Sequence, residues 1–189
     1  MARKKRQWSP HHYNHVVMRG NNRQAIFNSA ADYQAFFRVL QYAHQKYTFS
    51  IVAYCIMSNH YHLLIRSPEV PLVKVMAIIN RRYSDYFHKK HQYTGQLYER
   101  RYFAELVPSP IGMLTVSRYI HRNPISTKTP IVDKMEYYPY SSYHHYKHDS
   151  PSLYSFLDTT LLRTYSSQIS PLRSQSYCHY CEQQQIEQL

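Results

Sequence analysis

Three cysteines in a chain of 189 residues cannot build a disulfide framework, and their scarcity points to a reducing compartment. No apolar run approaches the length needed to cross a bilayer, so no membrane partner is expected. Residues 1–6 are basic, like the start of a secretory leader, but residues 7–14 are polar where an apolar stretch must follow. Acidic residues are also few: 11 stand against 23 lysines and arginines, a formal net charge of +12. That imbalance favours an anionic partner, with nucleic acid the leading class and a cytoplasmic, nucleoid-associated location the corollary. Residues 1–12 then read as a basic arm able to touch a phosphate backbone, or as a disordered end.

Tyrosine, by contrast, is abundant, with 21 copies. Aromatic rings among cations can stack on unpaired bases, which strengthens the nucleic-acid reading over that of a merely soluble basic surface. Apolar residues make up 43% of the chain, and its length suffices for one domain with a real core.

The pattern along the chain alternates between periods of two and of 3.6. Residues 15–19 read as a first strand, ended by Gly20-Asn21-Asn22, which tolerate unusual backbone angles. Ser29-Ala30-Ala31-Asp32 resembles a capping box, with Asp in place of the usual Glu. The helix it opens runs to about Tyr47, with Tyr33, Phe36, Phe37, Leu40 and His44 on its buried stripe. Residues 51–57 are nearly all apolar, as in a strand covered on both faces. After the turn residues Ser58-Asn59, a period of two puts His60, His62, Leu64 and Arg66 on one face and Tyr61, Leu63 and Ile65 on the other.

A second helix is expected over residues 72–88, with Tyr83 and Tyr86 as packing residues. Residues 96–107 read as a strand carrying Arg100 and Arg101 at its rim, and Pro110 starts a third helix over residues 111–123. Tyr119 and Asn123, four apart, project on the same side of it, while His121 points elsewhere. Pro124 ends the helix and loosens its last turn. The first six elements, strand, helix, strand, strand, helix, strand, match the ferredoxin-like split βαβ pattern. The expected class is α+β, an antiparallel sheet with helices packed on it, plus a C-terminal extension. Residues 13–149 form the expected domain. Residues 150–189 read as a loosely attached extension, with a short helix over 153–165 and disorder from about Gln183. Cys178-His179-Tyr180-Cys181 has zinc-knuckle spacing but no second pair, so no structural zinc is expected there.

The chemistry centres on the histidine pair. Two imidazoles on one strand face can converge on a divalent cation, and such an ion polarises a phosphoryl oxygen. Among 13 histidines, however, one His-x-His pair can arise by chance, and composition cannot choose one tyrosine among 21.

Taken together, the motifs resemble the single-tyrosine HUH transposases, the IS200/IS605-like family, nearest its REP-associated tyrosine transposase branch. The carrying segments are Met18-Arg19-Gly20-Asn21-Asn22-Arg23-Gln24, Met57-Ser58-Asn59-His60-Tyr61-His62-Leu63-Leu64, Gly95-Gln96-Leu97-Tyr98-Glu99-Arg100-Arg101-Tyr102 and Arg118-Tyr119-Ile120-His121-Arg122-Asn123-Pro124. Tyr140-Ser141-Ser142-Tyr143 looks like that branch's Trp-Ser-Ser segment. Tyr98 and Tyr140 depart from it, standing where the branch usually has Trp, and Asn123 stands where the insertion-sequence branch has Gln.

The resemblance implies Tyr119 as nucleophile, His60 and His62 as catalytic metal ligands and Asn123 as third ligand, with Mg2+ or Mn2+ as the cation. A tyrosine hydroxyl is a weak nucleophile at neutral pH, and a nearby cation favours its ionised form. The implied substrate is single-stranded or hairpin DNA, cleaved and rejoined through a 5′-phosphotyrosine link. Candidate DNA contacts are Arg19, Asn21, Asn22, Arg23, Arg81, Arg82, Arg100, Arg101, Arg118 and Arg122. The family acts as monomer or homodimer, and a monomer with a complete site in one chain is favoured here. Two alternatives stay open: a domesticated, non-cleaving binder of hairpin DNA, and a nickase of the replication-initiator or relaxase kind.

Overall fold

The computed structural model describes residues 8–169 and 176–183. The basic arm therefore lies mostly outside the described residues, as does the disorder expected beyond Gln183. Four strands, β1 (Tyr13–Arg19), β2 (Ser50–Ile56), β3 (His60–Arg66) and β4 (Phe103–Val107), form one antiparallel sheet in the order β2-β3-β1-β4. Helix α1 (Ala30–Lys46) joins β1 to β2, and α2 (Leu72–His91) joins β3 to β4. This is the split βαβ arrangement that the order of hydrophobic periods predicts.

Both connecting helices cover one face of the sheet. Phe36, Leu40, Val75, Met76, Ile79 and Tyr83 pack there on Val16, Tyr54, Tyr61, Leu63 and Ile65. Burying such side chains stabilises by roughly 1.5–3 kcal/mol each. Tyr83, as expected, is a packing residue, and its hydroxyl donates to the Ile26 carbonyl. Tyr86 is half-buried and donates to the Asp32 carboxylate at 3.0 Å. Asp32 reaches back to the N–H groups of Asn28 and Ser29 at 2.8 and 3.0 Å, so the short acid serves the capping role. It also pairs with Lys90 at 2.6 Å and His91 at 3.1 Å, latching the start of α1 to the end of α2. His44 is half-buried rather than part of the core.

Helix α3 (Pro110–Arg122) lies on the opposite face, against Leu64, Val52 and Cys55. The Ser109 side chain caps it by accepting from Gly112 N–H at 3.1 Å, with Pro110 in the first turn. Three short helices, α4 (Tyr143–Lys147), α5 (Thr160–Gln168) and α6 (Tyr177–Glu182), complete that layer.

Two expectations need correction. The strand expected over residues 96–107 is regular only at Phe103–Val107. Before it, Leu97 and Tyr98 hold the end of β1 through isolated bonds, Asn21 N–H to Leu97 O at 2.9 Å and Glu99 N–H to Arg19 O at 3.1 Å. Burying Leu97 and Tyr102 takes precedence there over continuing the ladder. The C-terminal segment is not loosely attached where it is described. Ile51 N–H donates to Phe156 O at 2.7 Å, Phe156 is fully buried, and Tyr177 and Cys181 enter the second core. Its helix starts at Thr160, not 153, because the Asp158 side chain accepts from Thr160 N–H at 2.8 Å.

Candidate active site

Sheet register brings the site together. β1 and β3 run antiparallel with Val17 opposite His62 and Arg19 opposite His60, so His15 shares a face with both histidines. The turn before β3 is fixed by Asn59. Its Nδ2 donates to the Arg23 carbonyl at 3.1 Å, and its Oδ1 stands 2.6 Å from His60 Nδ1. That contact occupies Nδ1 and leaves His60 Nε2 for another partner. Gly20 is needed where this turn meets β1, since a Cβ there would lie 2.3 Å from the Gln24 carbonyl oxygen.

The two rings of the pair stand 4.9 Å apart and nearly perpendicular. His62 is buried, and its Nε2 has no hydrogen-bond partner. Burial, then the charges of His60, His15 and Arg19, hold His62 well below its ordinary pKa. Burial and Arg19 pull His60 down to about 4, against a hydrogen bond with Asn123. Both rings are therefore neutral at pH 7, the form that offers a lone pair to a metal.

Tyr119 projects from α3 over His62. It is 56% exposed, its ring centroid 5.5 Å from that of His62 and edge-on to it. The helix is held in place from behind. His121 is fully buried and bonds the Ser142 hydroxyl at 2.8 Å and the Tyr177 hydroxyl at 2.9 Å, so it anchors α3 rather than joining the site. Asn123 caps the helix, its Nδ2 donating to the Tyr119 carbonyl at 2.9 Å. The Asn123 side chain also opposes the lowering of the His60 pKa, favouring the protonated ring. Among the described residues, no three His, Cys, Asp or Glu side chains form a metal-binding group. The donor set is instead two imidazoles with an amide beside them. An unpartnered, buried Nε2 on a neutral ring fits a cation that accepts nitrogen ligands.

The cleft in front of Tyr119, about 210 Å³, is lined by His15, Arg19, His62, Glu99, Arg100, Arg101 and Phe103 among others. Arg100 and Arg101 also border a mostly apolar cavity of about 410 Å³ against α2. Of the other predicted DNA contacts, Asn22 and Arg23 are exposed at the β1 end, with left-handed φ of 49° and 59°, beside half-exposed Asn21. Arg81 and Arg82 lie on α2, across the sheet from the histidines, and Arg82 sits 3.7 Å over the Tyr42 ring. Arg118 and Arg122 are engaged with α6, donating to the carbonyls of Tyr180 at 3.0 Å and Cys181 at 2.9 Å. Sequence reasoning missed His15, Glu99 and Phe103. The period of two in β1 does place His15 on the Arg19 side, but the register that sets it beside His62 is not visible in one strand.

The fold has a solved counterpart. A structure described as the REP-associated tyrosine transposase bound to a REP hairpin aligns with a TM-score of 0.65 at 15% identity, over 84% of this chain and 98% of that one. A crystal structure described as that of a transposase from Deinococcus radiodurans aligns at 16% identity over 64% of this chain and 97% of that one, with a TM-score of only 0.42. No curated protein matches the chain. The model of the family described as IS200-like transposases matches residues 9–123, a span that runs from the start of β1 through both histidines to Tyr119 and Asn123, and the chain belongs to that family.

Proposed function

We propose that the chain is a metal-dependent transposase that cleaves and rejoins single-stranded, hairpin-associated DNA through Tyr119. One observation carries the reading: an exposed phenol stands edge-on to a buried histidine whose Nε2 has no partner. His60 and His62 would hold Mg2+ or Mn2+, with the Asn123 amide oxygen as third ligand. When bound, that ion polarises the scissile phosphate and favours ionised tyrosine.

The chain's own residues do the rest. Tyr119 Oη gives up its proton to solvent and attacks phosphorus, an O–P bond forms, and the bond to the 3′ oxygen breaks, that oxygen taking a proton from solvent to leave as a 3′ hydroxyl. The DNA 5′ phosphate stays on the tyrosine. A 3′ hydroxyl of another strand can attack it in turn, so rejoining needs no ATP. His121 and its partners keep the phenol over the rings, and pre-organisation of this kind lowers the cost of reaching attack geometry. Arg19, Arg100 and Arg101 supply positive charge along the cleft for the phosphates, and exposed Phe103 offers a face on which a base can stack. The hairpin in the solved transposase of this fold supports a hairpin substrate. Tyr119, His60 and His62 meet within one chain, which supports a site complete in a monomer. Residues 13–149 carry the chemistry in this reading, braced by the docked residues that follow.

The test is to mix the protein with labelled hairpin oligonucleotides and Mn2+ and look for a covalent adduct that survives denaturation. The adduct is expected from the wild type and not from Tyr119→Phe. His62→Ala is expected to abolish it while retaining most hairpin binding, because the phosphate contacts come from other residues. Adduct formation by Tyr119→Phe would remove Tyr119 as nucleophile.

A further inference from the structure

A part-buried polar contact beside the histidine pair has no role so far. His15 Nε2 lies 3.0 Å from His62 Nδ1, with the two rings nearly parallel at 20° and their centroids 5.2 Å apart. The same His15 ring meets Tyr119 edge-on at 5.9 Å. A side chain on β1 thus touches both a proposed metal ligand and the proposed nucleophile.

The chemistry of an imidazole gives the contact a direction. A ring that gives its Nε2 lone pair to a cation keeps its proton on Nδ1, and that N–H needs an acceptor. His62 Nε2 is the atom left buried and unpartnered, and His62 Nδ1 is the atom facing His15. Metal-bound histidines usually find this acceptor in a carboxylate, a backbone carbonyl or water. Here a second imidazole occupies the place.

We propose that His15 is a positioning residue, accepting the Nδ1 proton of His62 so that Nε2 is presented to the cation, while its ring edge packs against Tyr119. His60 has an equivalent partner in Asn59, whose Oδ1 lies 2.6 Å from His60 Nδ1. Each histidine of the pair then has its Nδ1 fixed by a neighbour. The inference rests on reading His60 and His62 as metal ligands. It separates His15 from them: its Nε2 is already committed to His62, so it is not itself a ligand.

The experiment measures Mn2+ binding to the DNA-free protein by electron paramagnetic resonance, with folding checked by circular dichroism. His15→Phe keeps a ring beside Tyr119 but has no acceptor, and is expected to weaken Mn2+ by about 10–100-fold, the usual range for loss of such a partner. His15→Gln offers an amide oxygen and is expected to recover most of that loss. Spin-echo measurements with 15N-histidine are expected to count two coordinated imidazoles in the wild type and in His15→Gln. Unchanged Mn2+ affinity in folded His15→Phe overturns the proposal, as does a count of three imidazoles, which would make His15 a ligand. If His62→Ala binds Mn2+ as tightly as the wild type, the metal reading itself fails, and His15 with it.

Discussion

The two faces of the sheet are built from the same residue types, and both bury tyrosines, but the α3 face also leaves one standing over a histidine. On the α1–α2 face, tyrosines are structural: Tyr61 and Tyr83 are wholly buried and spend their hydroxyls on Asn80 and on the Ile26 carbonyl. On the α3 face, Tyr119 stands more than half exposed, its ring over a histidine. Histidine divides in the same way within the α3 layer. His121 is buried with both ring nitrogens bonded, whereas His62, three per cent exposed, has one nitrogen bonded and one unpartnered. Residue type therefore says little about role in this chain. His44 Nδ1 and Arg66 Nε are likewise buried without a partner, so an unsatisfied polar atom marks a candidate site only where other reactive groups converge on it, as His60, His15 and Tyr119 do on His62.

That comparison can be broken by truncating one tyrosine from each face. Tyr83→Ala is expected to cost about 3–5 kcal/mol in urea unfolding, as large buried aromatic truncations do. Tyr119→Ala is expected to stay within about 0.5 kcal/mol of wild type, like an ordinary surface change. Similar losses from the two would mean that Tyr119 is a packing residue.

A smaller effect sharpens the picture of the closed face. Asp32→Ala leaves the N–H groups of Asn28 and Ser29 without an acceptor, at a cost of about 1–3 kcal/mol. Burial alone would raise the Asp32 pKa. Hydrogen bonds from Lys90, Asn28 N–H, His91 and Tyr86 outweigh it and hold the carboxyl well below its ordinary value of 3.8. A depressed acid contributes stability above its unfolded pKa and loses it as pH falls. Thermal melts of the wild type should therefore drop as pH is lowered below about 4. Asp32→Asn should flatten part of that drop.

Much of the fold was legible because its cues are local. The switch from period two to period 3.6 marks each element as far as α3, and Ser29 with Asp32 marks where α1 begins. The site was legible in part for the same reason. His60 and His62 share a face by strand geometry, and Tyr119 and Asn123 share a side by helix geometry. The remainder depends on contacts between distant residues. His15 joins the site only through the β1–β3 register. Arg118 and Arg122 have the look of free phosphate contacts in the sequence, yet their guanidinium groups bond carbonyls of α6 some sixty residues on. The docking of Phe156 beside β2 gives no periodic signal, because the segment bonds the strand at Ile51 alone.

The most direct test is to isolate the DNA-linked peptide after reaction with a hairpin oligonucleotide and identify the modified residue by mass spectrometry. Phosphonucleotide mass on Tyr119 alone is the expected result, among 21 tyrosines that are chemically alike. Mass on any other tyrosine, or on none when cleavage has occurred, would contradict the account.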